Sequence, residues 1–401
     1  MSKPSIGVAV IGAGMAGRAH ASGYRSAPAV FDTDLPEVRL VAVADAYEPF
    51  AVDTARRYGY QRAETSWEAV AAAADIDAVS VVVANSLHRE IVTALLDAGK
   101  HVLCEKPLAP SVPDGQAMVD QAGKSDRIAA AGFTFRRSPA ISAIRQQITE
   151  GSLGPAAHFN GHYWCDYGCS PDAPMSWRYR GGPGSGALAD IGTHLVDVGE
   201  FLCGPVESVR GTILKTLVGD RPVPLGTAVG HAAGVPVSDV REQVENEDIA
   251  TFTATFAGGA TGTFSVSRIA YGLANALGFE VFCVGGAAAF DLARGSEFTI
   301  ADAAAAGPVN GYRRVVLGPA HPYITRGLPM DFPSVGHGQN DLFTFQARAF
   351  LDEIAGLDRL PRCPSLAEGL HNLRVLDAIV AAARGNGHAV AVQPRKEHPC
   401  S

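Results

Sequence analysis

Over the first 130 residues, short apolar runs alternate with amphipathic stretches. Ile6–Ile11, Val38–Ala44, Ala78–Val83, His101–Cys104 and Ile128–Ala131 read as strands. Between them, Ala16–Ser26, Pro49–Tyr58, Trp67–Ala74, Arg89–Ala98 and Asp114–Ser125 read as helices. Near-continuous apolar strands separated by helices predict βαβ units on a parallel sheet. Right-handed crossovers then make that sheet doubly wound. After about residue 135 the pattern changes. A helix at Ser138–Glu150 leads to Ala157–Trp164, a half-exposed strand, and to a helix at Leu188–Leu202. Val206–Leu217, Ile249–Phe256, Thr261–Ile269, Phe279–Val284 and Ala287–Asp291 follow, with glycine turns among them, and predict an antiparallel or mixed sheet. Residues 218–247 are rich in Gly and Pro and read as a long loop excursion. Helices at Asn340–Ala355 and Ser365–Ala383 close the chain.

Composition narrows the class. With 401 residues, 47% of them hydrophobic, the chain can bury a core without disulfides or metals. Its 18% charged residues fall short of the usual share of about 25%. The formal charge of −8 argues against a nucleic-acid partner, and no apolar run is long enough to span a membrane. Seven scattered cysteines without C-x-x-C spacing read as reduced thiols, with no metal site, and the expected location is cytoplasmic.

The sequence G-A-G-M-A-G at 12–17 stands between the first strand and the first helix. In that context G-x-G-x-x-G is a dinucleotide-binding turn of the Rossmann type. Gly12 permits the tight turn, Gly14 the approach of the pyrophosphate, and Gly17 close helix–strand packing. Met15 and Ala16 open the helix whose free N–H groups face the phosphates. Asp45 ends the second strand, 28 residues beyond Gly17, and is the candidate for the adenosine ribose. Its charge would repel a 2′-phosphate, so NAD is expected rather than NADP.

Further motifs follow in order. Asn85-Ser-Leu-His88 comes after the third apolar strand, Glu105-Lys106-Pro107 after the fourth, and Gly132-Phe-Thr-Phe-Arg136 after the fifth. SWRYR (176–180) and GALADIGTHLVDV (186–198) come next. Together they resemble the Gfo/Idh/MocA family of sugar and polyol oxidoreductases. GPAHPY (318–323), the long loop after the first helix and GHG (336–338) resemble its levoglucosan and inositol dehydrogenase branch. The resemblance implies an α/β fold with an N-terminal Rossmann domain at 1–133. It also implies a C-terminal α+β domain at 134–401, built on a large open mixed sheet. The helices at about 340–385 would pack back toward the first domain. A homodimer or homotetramer joined through the C-terminal sheet is implied too, and would account for the low charge. The family's T-P-N appears here as Val83-Ala84-Asn85, and its G-F-N-Y-R as Gly132-Phe133-Thr134-Phe135-Arg136, which removes one sugar-binding hydroxyl.

The chemistry converges on three residues. Asp190 and His194 are four apart and share a helix face, where a carboxylate can fix the imidazole tautomer and raise its basicity. Lys106 follows a strand end, where its ammonium can stabilise alkoxide charge or, desolvated, act as a base. The resemblance makes these three the catalytic group. Asn85, His88, Glu105 and Lys106 are candidate cofactor neighbours. Arg136, Tyr163, Trp177, Arg178 and His337 are candidate sugar-pocket residues beside Lys106, Asp190 and His194. The expected reaction is NAD-dependent oxidation of a secondary hydroxyl of a sugar, anhydrosugar or inositol. An NAD-dependent glycosidase and a non-catalytic sugar or nucleotide sensor are the alternatives.

Overall fold

The computed structural model describes residues 5–31, 34–226, 235–304 and 310–394. The chain divides into two units, Met1–Pro139 with Leu317–Leu370, and Ala140–Val316 with His371–Ser401.

From Ser5 to Ala131 the first unit alternates strands and α-helices: β1 (Ser5–Ile11), α1 (Met15–Ser26), β2 (Glu37–Ala44), α2 (Glu48–Tyr58), β3 (Arg62–Glu64), α3 (Trp67–Ala72), β4 (Ala78–Val81), α4 (His88–Asp97), β5 (His101–Cys104), α5 (Val112–Ala122) and β6 (Ala129–Ala131). The strands form one parallel sheet in the order β3-β2-β1-β4-β5-β6. Val8, Val10, Val41, Val43, Val79, Val81, Val102 and Leu103 have no exposed surface. Unbroken apolar strands covered on both faces are what a parallel sheet requires. The strand order reverses between β1 and β4, so the crevice for a ligand opens at their carboxyl ends.

The second unit holds α6 (Pro139–Thr149), β7 (Ala156–Trp164), a π-helical turn (Leu188–Gly192), α7 (Thr193–Cys203), β8 (Val206–Lys215), β9 (Asp220–Pro224), β10 (Val237–Gln243), β11 (Ile249–Phe256), β12 (Thr261–Ser267), β13 (Ala276–Cys283), β14 (Gly286–Asp291), β15 (Glu297–Asp302) and β16 (Arg313–Val316). Then come α8 (Gln339–Ile354) in the first unit, α9 (Leu366–Arg384), inside which the unit boundary falls, and β17 (Val390–Ala391). Nine strands form a mixed sheet in the order β16-β15-β14-β13-β7-β12-β11-β8-β17, in which only β7 and β12 run parallel. Period-2 alternation sorts its faces. On β11, Ala250, Phe252, Ala254 and Phe256 are buried, while Thr251, Thr253 and Thr255 take the other face. The inner face carries stacked rings, with Phe159 5.2 Å from Phe264 and 5.7 Å from Phe279, and Phe252 4.6 Å from Phe264. Helix α7 lies on this layer, and a Cβ on Gly199 would come within 3.1 Å of Phe264.

Several elements depart from the pattern reading, among them the short strands β3 and β17. The segment 218–247 is not one long loop: β9 and β10 pair as a small antiparallel sheet, with residues 227–234 outside the described set. Its prolines, Pro222 and Pro224, are tolerated because a two-stranded ribbon offers edge positions that need no N–H. The helix expected from Leu188 opens with a π turn. Strands β15 and β16, unexpected from their short polar-flanked runs, extend the sheet.

Within the first unit α8 packs against α1. A Cβ on Gly23 would lie 2.8 Å from the Phe343 carbonyl oxygen, so glycine permits the close crossing. Arg348, fully buried on α8, donates to Asp352 at 2.7 Å and to the carbonyl of Val30. No described helix is long and apolar enough to cross a membrane.

Candidate active site

In the first unit the glycine turn joins β1 to α1. Gly12 sits at φ +99°, and a Cβ there would lie 2.1 Å from the Val82 carbonyl oxygen. A Cβ on Gly17 would lie 1.8 Å from the Gly12 carbonyl oxygen. These two glycines are demanded by the protein's own backbone. Gly14 is different: nothing lies within 4 Å of where its Cβ would be. It caps α1 with no side-chain partner for the first-turn N–H groups, and that turn carries no acidic residue. Met15 is 62% exposed beside it. An open, uncapped helix start with a glycine facing space fits a dinucleotide pyrophosphate.

Asp45 is drawn to this turn. Its Oδ2 accepts from the Ala13 N–H at 2.7 Å and its Oδ1 from the Tyr47 N–H at 2.8 Å. One carboxylate thus ties the end of β2 to the glycine turn, and each oxygen retains a second acceptor position. Asn85 lies half-buried in a short turn after β4. His88 is enclosed, its Nδ1 3.2 Å from the Leu108 carbonyl and its Nε2 3.1 Å from that of Val83. Burial lowers its pKa, and the ring pins the turn after β4 to the turn after β5.

Glu105 and Lys106 follow β5. The Glu105 side chain turns inward, Oε1 3.0 Å from His20 Nε2 and Oε2 accepting from the Lys106 N–H at 3.1 Å. Lys106 is half-buried at the carboxyl end of the sheet, and its bond to Pro107 is cis. Arg136 donates to Glu368 Oε1 at 2.8 Å, with both side chains largely buried. Burial works to raise the Glu368 pKa, but Arg136, the Ser365 N–H and Arg362 outweigh it and bring the carboxyl down to about 2. His337 is half-buried in the loop before α8, close enough to His321 to add to the burial that lowers the His321 pKa to about 4.

In the second unit, Asp190 lies in the π turn and His194 in the first turn of α7. π turns recur at functional sites because they re-aim side chains. Tyr167 donates its hydroxyl to Asp190 Oδ2 at 2.7 Å, and Arg178 Nε lies 3.8 Å from the same oxygen. The Arg178 guanidinium sits 4.4 Å over the ring of Trp177, whose indole is 58% exposed. Tyr163, buried on β7, donates to Asn275 Oδ1 at 2.8 Å, and its ring centre is 6.2 Å from that of His194. Tyr163, Trp177, Arg178, Asp190 and His194 therefore gather in one region of this unit.

Several supports of this region escaped the sequence reading. Tyr167 is one. The run Asn246-Glu247-Asp248 is another. Asn246 Nδ2 donates to the carbonyls of Arg178 and Arg180, Glu247 accepts from the N–H groups of Gly184 and Leu188, and Asp248 pairs with fully buried Arg268 at 2.8 Å. Thr193, next to His194, donates to Asn372 Oδ1 at 2.6 Å, and Asn372 Nδ2 returns a bond to the Thr193 carbonyl. A run of polar residues just before an apolar strand was the only available signal for the triplet.

Comparison with known proteins decides the family. A Gfo/Idh/MocA model, described as an oxidoreductase family with an NAD-binding Rossmann fold, matches residues 6–133, and the family's C-terminal domain model matches 141–289. The chain belongs to the Gfo/Idh/MocA family. It is therefore an NAD-binding oxidoreductase with a Rossmann domain and a C-terminal sheet domain. A levoglucosan dehydrogenase from Pseudarthrobacter phenanthrenivorans is 33% identical over 382 residues, 94% of this chain and 96% of that protein. The solved structure of a levoglucosan dehydrogenase in complex with NADH and levoglucosan superposes with a TM-score of 0.88 at 31% identity, covering 97% of this chain and all of the other. An inositol 2-dehydrogenase from Rhizobium meliloti is 28% identical over 53% of this chain and 60% of its own length.

Proposed function

We propose that this protein is an NAD-dependent dehydrogenase that oxidises a secondary hydroxyl of a sugar, an anhydrosugar such as levoglucosan or a cyclic polyol to the corresponding ketone. The observation that carries this reading is the likeness, over nearly the whole of both chains, to a levoglucosan dehydrogenase. NAD, when bound, supplies the acceptor for the hydride leaving the substrate carbon. Gly12, Gly14, Met15, Ala16 and Gly17 hold its pyrophosphate, and Asp45 its adenosine ribose. Lys106 donates a hydrogen bond to the reacting hydroxyl and stabilises the negative charge that builds there. His194 takes the hydroxyl proton, with Asp190 stabilising the imidazolium that results. The exposed indole of Trp177 offers an apolar face to a sugar ring, and Arg178 offers directed donors. Tyr163, with its hydroxyl already committed to Asn275, supports this wall. His337 and Asn85 border the bound molecules. His88, Glu105 and Arg136 hold the turns that carry the others.

Assembly as a homodimer or homotetramer fits the outer face of the nine-stranded sheet. By register, Ile213, Thr251, Ser265, His162, His158 and Phe282 share that face. His162 stacks on Trp164 at 3.9 Å and His158 on Phe282 at 5.6 Å, while Ile213 is 62% exposed. The six described cysteines are thiols, which accords with a cytoplasmic location.

The deciding experiment is a panel of levoglucosan, free hexoses, glycosides and inositols, read by NADH absorbance and product analysis. Net NADH with a ketone product is the expected outcome. Bond cleavage without net NADH would mark a glycosidase. A protein that binds NADH but turns over nothing in the panel would sink the dehydrogenase reading.

A further inference from the structure

Four polar side chains are sealed beneath the turn that carries Lys106. Tyr24 and His20 lie one turn apart on α1, Ser80 on β4 and Glu105 just after β5. Tyr24 and Ser80 have no exposed surface, and His20 and Glu105 almost none. The Tyr24 hydroxyl is 2.9 Å from Ser80 Oγ, Ser80 Oγ is 3.1 Å from His20 Nδ1, and His20 Nε2 is 3.0 Å from Glu105 Oε1. Phe343 closes the space above the imidazole, edge to face at 5.3 Å. Gly132 leaves room for the carboxylate, since a Cβ there would fall 2.7 Å from Glu105 Oε1.

One arrangement of hydrogens gives every donor in this chain an acceptor. The Tyr24 hydroxyl donates to Ser80, the Ser80 hydroxyl to His20 Nδ1, and His20 Nε2–H to Glu105. Running the chain backward with a neutral ring would set the Nε2 lone pair against a carboxylate oxygen. Burial pushes the Tyr24 phenol well above its usual range, so it stays a donor. The chain thus ends in a single N–H that holds one oxygen of a buried carboxylate. The other oxygen accepts from the main-chain N–H of Lys106.

We propose that His20 is a positioning residue for Lys106. It fixes the Glu105 carboxylate, and the carboxylate fixes the Lys106 main chain from which the ammonium projects. The proposal rests on the reading that Lys106 serves the reacting hydroxyl. Without the imidazole donor, a buried carboxylate loses a partner it cannot replace with water. It then rotates or takes up a proton, and Lys106 loses its anchor.

The test reads Lys106 directly and needs no sugar. The full chain is pulsed with acetic anhydride, and acetylation of each lysine is followed by peptide mass spectrometry, with exposed Lys124 and Lys215 as internal references. In His20→Leu, labelling of Lys106 relative to the references should change by about threefold or more, the equivalent of one modest hydrogen bond. His20→Gln, whose amide keeps a donor for Glu105, should return it to within about twofold of the parent. Unchanged Lys106 labelling in a His20→Leu protein that still binds NADH would reduce His20 to a core filler and overturn the proposal. If His20→Leu fails to fold, Ser80→Ala and Tyr24→Phe replace it, each removing an upstream donor. A smaller change of the same kind is expected, and no change in either overturns the proposal. The two readings fail separately: full activity in Lys106→Ala would remove the catalytic role of the lysine and leave the labelling result standing.

Discussion

Tyr167 holds Asp190 by a 2.7 Å hydrogen bond, in a part of the second unit where both residues are half-buried. Burial, with the Asp190 charge beside it, pushes the phenol well above its usual range, so Tyr167 is a fixed donor. A hydrogen bond to a charged group contributes about 1.5–3 kcal/mol. Tyr167→Phe deletes that bond and little volume. We expect kcat to fall by roughly tenfold or more with a smaller change in KM, because the loss bears on the carboxylate proposed to support His194 as proton acceptor. Steady-state kinetics with the best sugar of the panel check this. A kcat within about twofold of the parent would mean that Asp190 needs no help from Tyr167.

Lys106 and His194 carry the proton and charge roles in the proposed reaction. Lys106→Ala and His194→Ala should each lower kcat by roughly 10²-fold or more, the usual scale for an acid–base group. Lys106→Arg should not restore it, since a guanidinium neither matches the ammonium's point-charge geometry nor gives up a proton. NADH titration of the same variants separates loss of chemistry from loss of cofactor. Near-normal turnover in both alanine variants would reject these roles.

The pattern of residues made the first unit largely legible. Apolar strands such as Val8–Ile11 and Val41–Ala44 have no other place to go, and the G-x-G-x-x-G turn marks where β1 meets α1. Asp45 and Lys106 could be named because each ends or follows a strand whose boundary the pattern shows, and Asp190 and His194 because they stand four apart within one helical run. What stayed hidden depends on tertiary contact. His20 reads as one polar residue on a helix face, and only the fold brings Ser80 and Glu105 to its two nitrogens, 60 and 85 residues away. No signal in the sequence pairs Arg136 with Glu368, 232 residues on. The π turn at Leu188–Gly192 has the composition of an ordinary helix and leaves no trace in the sequence. Likewise, β9 and β10 are masked by glycines and prolines that belong to their edges.

Gly14 and Gly17 should separate binding from folding. Gly14→Val places its side chain in open space, so thermal stability should change little. The same atoms would occupy the ground where the pyrophosphate approaches, so NADH affinity should fall by roughly tenfold or more. Gly17→Ala forces a Cβ to within 1.8 Å of the Gly12 carbonyl oxygen, so the turn itself must shift and the melting temperature should fall. NADH fluorescence titration with thermal melts checks both. Equal NADH affinity in Gly14→Val and the parent would place the cofactor elsewhere.

The Arg136–Glu368 pair sets an acid limit on the first unit. Folding lowers the Glu368 pKa from 4.5 to about 2, against a burial effect that alone would raise it. A carboxyl depressed in the folded state stabilises it fully above the unfolded pKa, and the contribution drains away as pH falls through the folded value. The window is therefore pH 4.5 down to about 2. The shift corresponds to about 3 kcal/mol at neutral pH. Glu368 also accepts from the Ser365 N–H at 2.8 Å, closing a capping box at the start of α9, so its loss frays that helix as well. Glu368→Gln should be less stable than the parent at pH 7, and the two denaturation midpoints should converge as the pH approaches 2. Urea titrations at pH steps from 7 to 2 measure this. A gap that stays constant across the series would show that the carboxylate charge contributes nothing and that the amide loses only packing.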